Sequence, residues 1–214
     1  MIQIFLIDDH PIVREGMGRL IEKEPDMTLC GESDGSDIFG ALDACSPDII
    51  VLDLSLPQSN GLDIIHSLKL RFPKARVLVL SMHDENLYAA RALRAGAMGY
   101  IMKQEAPTKV INAIRKINQG LIFVSEEISR KVLQGMISLT HESPIASLSD
   151  RELQVFQMIG EGRTHNEIAQ QLTLSVKTIE SHVERIKNKL EIRTGRELIH
   201  RAIEWVLQNQ GPVQ

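Results

Sequence analysis

The amino-acid sequence predicts an α/β fold: a doubly wound, five-stranded parallel sheet over residues 1–120, then a linker with one helix at 121–147. A small all-α domain of four helices with a helix-turn-helix follows at 148–214. Three observations predict it. As far as Gly120, short apolar runs alternate with segments whose apolar residues recur every three or four positions, which is the pattern of a parallel sheet covered by helices. Beyond residue 124 no strand pattern stands out. There, hydroxyl side chains in N-capping positions mark four helix starts in succession.

The strands are expected at 2–7, 27–31, 49–52, 76–80 and 99–102, and the central runs are almost wholly apolar, as strands buried on both faces must be. Between them, Ile38, Leu42 and Cys45, then Leu62, Ile65, Leu68 and Leu70, then Tyr88, Ala92 and Leu93 have helical spacing. Residues 121–124 form a last short apolar run, and 125–135 reads as one amphipathic helix. Residues 138–147, SLTHESPIAS, have the Ser, Thr and Pro content of a connector. Capping boxes are expected at Ser149/Glu152, Thr164/Glu167 and Thr194/Glu197, and Ser175 caps a fourth helix without a glutamate.

Composition narrows the function. Hydrophobic residues make up 43% and charged residues 24%, which excludes fibrous and wholly disordered classes. No apolar run approaches the roughly 18 residues of a membrane span, so no membrane association is expected. The N-terminal MIQIFLIDD lacks a basic leader, and the chain is expected to stay in the cytoplasm. Cys30 and Cys45 have no metal or disulfide pattern and read as structural thiols. The net charge of −4 argues against generic polyanion binding. Between residues 177 and 196, however, Lys177, Arg185, Lys187, Lys189, Arg193 and Arg196 outnumber Glu180, Glu184 and Glu191, making a local basic patch.

Four strand runs end in polar residues: Asp8 and Asp9 after the first, Asp53 after the third, Ser81 after the fourth and Lys103 after the fifth. In an open parallel sheet those ends share one edge, where ligands bind. Crowded carboxylates repel, and a hard divalent cation offsets the repulsion, with Mg²⁺ the expected occupant. With Mg²⁺ and Lys103 neutralising phosphoryl oxygens, one carboxylate can act as nucleophile. Asp53 suits that role, because it stands alone while Asp8 and Asp9 can share the metal. His10 and His83 flank the pocket without metal-ligand spacing and read as loop or supporting residues. Pro57 and Gly61 read as turn residues.

These segments, IDDHP, VLDLSLPQSNGLD, LSMH and AGAMGYIMK, resemble the receiver domain of bacterial two-component response regulators, a flavodoxin-like fold. The resemblance implies phosphorylation of Asp53 by a sensor histidine kinase, with Mg²⁺ bound by Asp9, Asp53 and the main-chain oxygen of Ser55, and Asp8 assisting through water. Ser81 would hydrogen-bond the phosphoryl group, Lys103 would contact it, and Tyr100 would swing inward. Leu56 replaces a common Met, a volume-conserving change, and Gln104 follows the lysine where some relatives have proline.

In the second half, the short Thr173-Leu174 connection between two helices fits a helix-turn-helix. Val176, Ile179, Val183, Ile186 and Leu190 face the core, while Lys177, Thr178, Ser181, His182, Arg185, Asn188 and Lys189 lie opposite, as a helix in a DNA major groove requires. Residues 148–205 are similar to the LuxR-type helix-turn-helix. Paired with a receiver, they resemble the NarL/FixJ type of regulator, which binds double-stranded DNA and dimerises on phosphorylation, with RNA polymerase a further candidate partner. That resemblance places Thr178, Glu180, Ser181, Glu184 and Lys187 at or beside contacting positions. Glu180 and Glu184 stand where several relatives carry lysine, so two potential phosphate contacts become repulsive unless they face cytosine amino groups instead, and weak non-specific binding with strong dependence on dimerisation is expected. In the last helix, Leu198, Ile199, Ala202, Trp205 and Val206 should mostly pack the bundle, with one edge free for a second copy.

The expected function is a phosphorylation-controlled transcription regulator, not an enzyme. An aspartyl phosphatase would need a second acid two residues after Asp53, where Ser55 stands. The remaining alternative is a phosphorylation-independent DNA-binding regulator whose receiver is a scaffold.

Overall fold

The computed structural model describes residues 1–56, 61–105, 107–135 and 144–209, so Pro57 and residues 138–143 of the expected connector lie outside the described residues. The chain divides into two units, 1–137 and 138–214.

In the first unit the chain runs β1 (Ile2–Ile7), α1 (Pro11–Glu22), β2 (Met27–Ser33), α2 (Ile38–Asp43), β3 (Ile49–Leu52) and α3 (Gly61–Arg71). It continues through β4 (Arg76–Ser81), α4 (Glu85–Ala95), β5 (Gly99–Met102), α5 (Pro107–Asn118) and α6 (Glu126–Gly135). All strand pairs are parallel, in the order β2-β1-β3-β4-β5. The order reverses between β1 and β3, which opens a crevice at their carboxyl ends. There the Asp53 N–H donates to Ile7 O at 2.8 Å, holding the two strand ends side by side.

Ile4, Leu6, Ile49, Val51, Leu78 and Ile101 form one sheet face, packed with Ile21 of α1 and Val110, Ile114 and Ile117 of α5. Their neighbours Phe5, Ile7, Ile50, Leu52 and Val79 alternate to the other face and are buried too.

Several elements differ from expectation. β2 runs to Ser33 and β4 to Ser81, because strand pairing continues past the apolar runs. α2 ends at Asp43, leaving Cys45 outside the helix, where its thiol donates to Cys30 O at 2.8 Å. Leu70 is exposed although it shares the α3 apolar spacing. Residues 121–124 extend the sheet through Phe123 alone: Tyr100 N–H donates to Phe123 O, and Phe123 N–H to Met98 O, each at 2.9 Å. The helix expected within the 121–147 linker is α6, and it is part of the first unit. Ile128 is buried, Ser125 donates to Glu85 Oε1 at 2.9 Å, and Lys131 to Asn86 Oδ1 at 2.7 Å, fastening the helix to α4.

The second unit has a 3₁₀ turn at Pro144–Ser147 and then α7 (Asp150–Gly160), α8 (His165–Gln171), α9 (Val176–Lys189) and α10 (Gly195–Asn209). Phe156, Leu153, Ile168, Ile179, Ile186 and Ala202 are fully or almost fully buried. The boxes at Ser149/Glu152 and Thr164/Glu167 form in both directions. At Thr194 only half of one forms, since the Glu197 carboxylate accepts from Arg193 N–H while Glu197 N–H donates to Thr194 Oγ1. Val176 and Ile199, expected inside, are 37% and 48% exposed, because each lies at the margin of its helix's apolar face.

Gly160 allows α7 and α10 to approach. A Cβ there would meet Ala202 O at 2.4 Å, and backbone cannot move aside as a flexible side chain can. Gly160→Ala is expected to destabilise the second unit by about 2 kcal/mol. Trp205, the one tryptophan of the chain, lies 5.8 Å from the Phe156 ring and reports this unit's unfolding by fluorescence.

Candidate functional site

Three strand ends deliver the acidic pocket. Asp8 and Asp53 are buried, and Lys103, just after β5, reaches back to place Nζ at 2.7 Å from both Asp8 Oδ2 and Asp53 Oδ2. Burial opposes the ammonium charge, but the Asp53 and Asp8 carboxylates outweigh it and raise the Lys103 pKa. The other Asp53 oxygen accepts from Ser55 N–H at 3.0 Å. Asp9 is partly open, and its Oδ1 is sealed from solvent without a hydrogen bond of good geometry, although His10 Nδ1 lies 2.7 Å away. Ligand atoms of Asp8, Asp9, His10 and Asp53 lie within 4.8 Å of one another. A carboxylate oxygen sealed from solvent without a well-formed hydrogen bond among the described residues, beside the Asp8 and Asp53 carboxylates, fits a hard divalent cation.

Beside this cluster lies a chain of polar contacts. Ser81 is buried at the end of β4, and its Oγ accepts from His83 N–H at 3.2 Å. The Tyr100 hydroxyl donates to His83 O at 2.8 Å, so the ring already lies inside. Burial pushes its phenol above the usual range, only partly offset by hydrogen bonding with Ser81. The structure therefore brings Asp8, Asp9, Asp53, Ser55, Ser81, Tyr100 and Lys103 together around one crevice.

Sequence reasoning missed Arg14, and it placed His10 and His83 beside the pocket without naming their partners. His10 joins the acid cluster, its Nδ1 lying 3.2 Å from Asp8 Oδ1 and 2.7 Å from Asp9 Oδ1. His83 Nε2 lies 3.1 Å from Ser55 Oγ, and its ring stacks on Tyr88. Arg14 Nη1 donates to Asp8 O at 2.6 Å, tying α1 to the end of β1. No spacing rule gives the partners of His83 and Arg14, because both act through contacts between separate segments, whereas His10 meets its own sequence neighbours Asp8 and Asp9.

On α9, Lys177, Glu180, Ser181, Glu184, Arg185 and Lys189 are exposed, while Thr178, His182 and Lys187 are half-buried. Not all are free to reach a ligand. Lys189 donates to the buried Glu152 at 2.7 Å and to Ser147 O at 3.1 Å, so it braces α9 against the start of α7. Lys187 pairs with Glu184 at 2.7 Å. Ser181 Oγ donates to Lys177 O, and Thr178 shares a hydrogen bond with the cap residue Ser175. His182 Nδ1 is buried without a hydrogen-bond partner among the described residues, and burial, assisted by Arg185, lowers its pKa. Thr173, in the turn before α9, has φ 54°, a left-handed conformation costly for a β-branched residue but needed for so short a connection.

Glu152 gives the second unit an acid limit. Burial alone would raise its pKa, but the Lys189 ammonium and the Ser149 donors hold it below the usual carboxylate value. A group depressed in the folded state stabilises above its unfolded pKa, near 4.3, and the contribution is lost as pH falls through the folded value. Trp205-detected stability is therefore expected to decline below about pH 4.3. Glu152→Gln should flatten that decline and cost about 1 kcal/mol at neutral pH through the weakened cap.

A parallel sheet with an acid-lysine crevice at its switch point, joined to a helix-turn-helix unit, defines a transcription regulator with a receiver. Residues 4–115 match the family model described as the response regulator receiver domain, and residues 146–202 that of bacterial regulatory proteins, luxR family. The chain is 36% identical over 211 residues to the response regulator UvrY of Escherichia coli K12, covering 98% of this chain and 97% of that one. A structure of RcsB from Salmonella enterica serovar Typhimurium, bound to promoter rprA with the phosphomimetic BeF3-, aligns with TM-score 0.69 at 26% identity over 94% of this chain and 98% of RcsB. Another holds two RcsB dimers on two parallel DNAs, with TM-score 0.58 and 28% identity over 96% of this chain and 98% of RcsB. The chain belongs to the two-component response regulators of the NarL/FixJ family, with a receiver and a LuxR-type DNA-binding domain. Among the described residues no helix is long and apolar enough to cross a membrane.

Proposed function

We propose that a sensor histidine kinase transfers a phosphoryl group to Asp53, and that the modified chain dimerises on double-stranded DNA in the cytoplasm to control transcription. The domains doing so are the receiver at 1–120 and the DNA-binding domain at 148–214. The observation that carries this reading is the Lys103 ammonium held 2.7 Å from the buried Asp53 and Asp8 carboxylates. Asp53 is the nucleophile: one of its oxygens forms the P–O bond as the donor's P–N bond breaks, giving an acyl phosphate. Asp9, Asp53 and the Ser55 carbonyl, with Asp8 through water, would hold Mg²⁺, which neutralises phosphoryl oxygens when bound. Lys103 then exchanges part of its contact with Asp53 for one to a phosphoryl oxygen, and the Ser81 hydroxyl donates to another.

Tyr100 gives that change a route outward. Its hydroxyl bonds the backbone beyond Ser81, and its own N–H bonds Phe123, two residues before Ser125, which binds Glu85 of α4. A shift of Ser81 and the 81–83 backbone therefore acts on the segment that leads to the DNA-binding domain. The chain serves as a switch rather than as an enzyme of metabolism, and RNA polymerase is the proposed downstream partner.

The test is to incubate the full chain with Mg²⁺ and acetyl phosphate and follow mass, oligomeric state and binding to a duplex carrying a selected site. One added phosphoryl group, a shift to dimer and tighter binding are expected. Equal DNA binding with and without the donor would instead favour a phosphorylation-independent regulator with the receiver as scaffold.

A further inference from the structure

We infer that Glu180 is a base-selecting residue that accepts a hydrogen bond from the N4 amino group of a cytosine in the major groove, so that the site this chain prefers contains a C·G pair at a fixed position. The inference rests on the DNA-binding reading of α9 and names what one side chain there would recognise.

The contacts within α9 separate the two glutamates. Both are exposed, but Glu184 is neutralised by Lys187 at 2.7 Å, while Glu180 has no ion pair among the described residues. Glu180 is the fifth residue of the helix, in the part that approaches base edges when a recognition helix lies in the groove. Its neighbours on that surface have less to offer a base. Thr178 is bonded to the cap residue, Ser181 donates back to Lys177 O, and Lys189 is committed to Glu152. Lys177 and Arg185, on either side, can reach phosphates.

An ionised carboxylate has only acceptor capacity, and facing a polyanion without a donor it would weaken binding. The major groove presents amino donors on cytosine N4 and adenine N6. At adenine the neighbouring N7 is an acceptor that would repel the carboxylate, so cytosine is the better partner. An acid amid cations thus lowers affinity for DNA in general and returns it at sites with cytosine in the right register.

The experiment selects sites from a randomised duplex pool with the full chain in Mg²⁺ and beryllofluoride, in parallel for wild type and Glu180→Gln. Affinities for the selected duplex and its single-base variants are then measured. Glu180 is exposed on a helix, so the variant should fold, which unchanged Trp205-detected melting verifies. For wild type, one C·G position should emerge whose change to T·A costs about tenfold to a hundredfold in affinity. An amide can also donate to thymine O4, so the variant should lose most of that discrimination at that position alone while binding unrelated DNA more tightly. Unchanged base preferences in Glu180→Gln, or a wild-type preference for adenine at the position that Glu180 controls, would overturn the assignment. Failure of wild type to enrich any duplex would instead overturn the DNA-binding reading beneath it.

Discussion

Asp53→Asn is expected to abolish phosphoryl incorporation from acetyl phosphate in Mg²⁺, slowing it by on the order of 10⁴-fold or more. The amide has the carboxylate's shape but is a much poorer nucleophile, and it removes the negative charge that would help hold the cation. Because Lys103 keeps Asp8 at 2.7 Å, the variant should stay folded, so loss of function will not reflect loss of structure. Intact mass gives the readout: one added phosphoryl group in wild type and none in the variant. Equal labelling of both would move the acceptor to another residue, with Asp9, the most open of the three acids, first in line. In the same samples, dimerisation and donor-stimulated DNA binding should vanish with the label.

Much of this arrangement was legible in the residue order. Parallel strands bring their carboxyl ends to one edge, so polar residues after 7, 52, 80 and 102 had to converge, and they do around Lys103. The helix starts were legible because a capping box is local chemistry. At Thr194 the prediction went half wrong, since Glu197 found a competing backbone donor at Arg193. What periodicity cannot show is which charged side chains are spent inside the fold. Lys189 stood with the DNA-facing residues on the polar face of α9, yet it serves the buried Glu152, 37 residues away in sequence. His83 read as a loop or supporting residue, but which groups it supports was not legible: its main chain joins Ser81 to Tyr100. Such roles depend on three-dimensional pairing between distant segments, which no spacing rule encodes.

Lys103→Met tests the pocket's electrostatics apart from its chemistry. It should destabilise the first unit by about 3 kcal/mol, because Asp8 and Asp53 would then confront each other in a poorly solvated crevice without a counter-charge. Methionine keeps the apolar stem, so little of the loss comes from packing. Calorimetry should show the first unit's transition shifted down, while the second unit's transition, read by Trp205 fluorescence, stays in place. Adding Asp8→Asn to Lys103→Met should recover a substantial part of the loss, since one of the facing charges is gone, and the shortfall from additivity measures the coupling. Millimolar Mg²⁺ should stabilise Lys103→Met more than wild type, because the cation supplies the missing positive charge and binds only the folded pocket. A Lys103→Met chain as stable as wild type in chelator would mean that solvent, rather than the lysine, relieves the repulsion between the two carboxylates. In that case Lys103 would be poised for an incoming phosphoryl group at no cost to the fold, and its pairing with Asp53 would be incidental to stability.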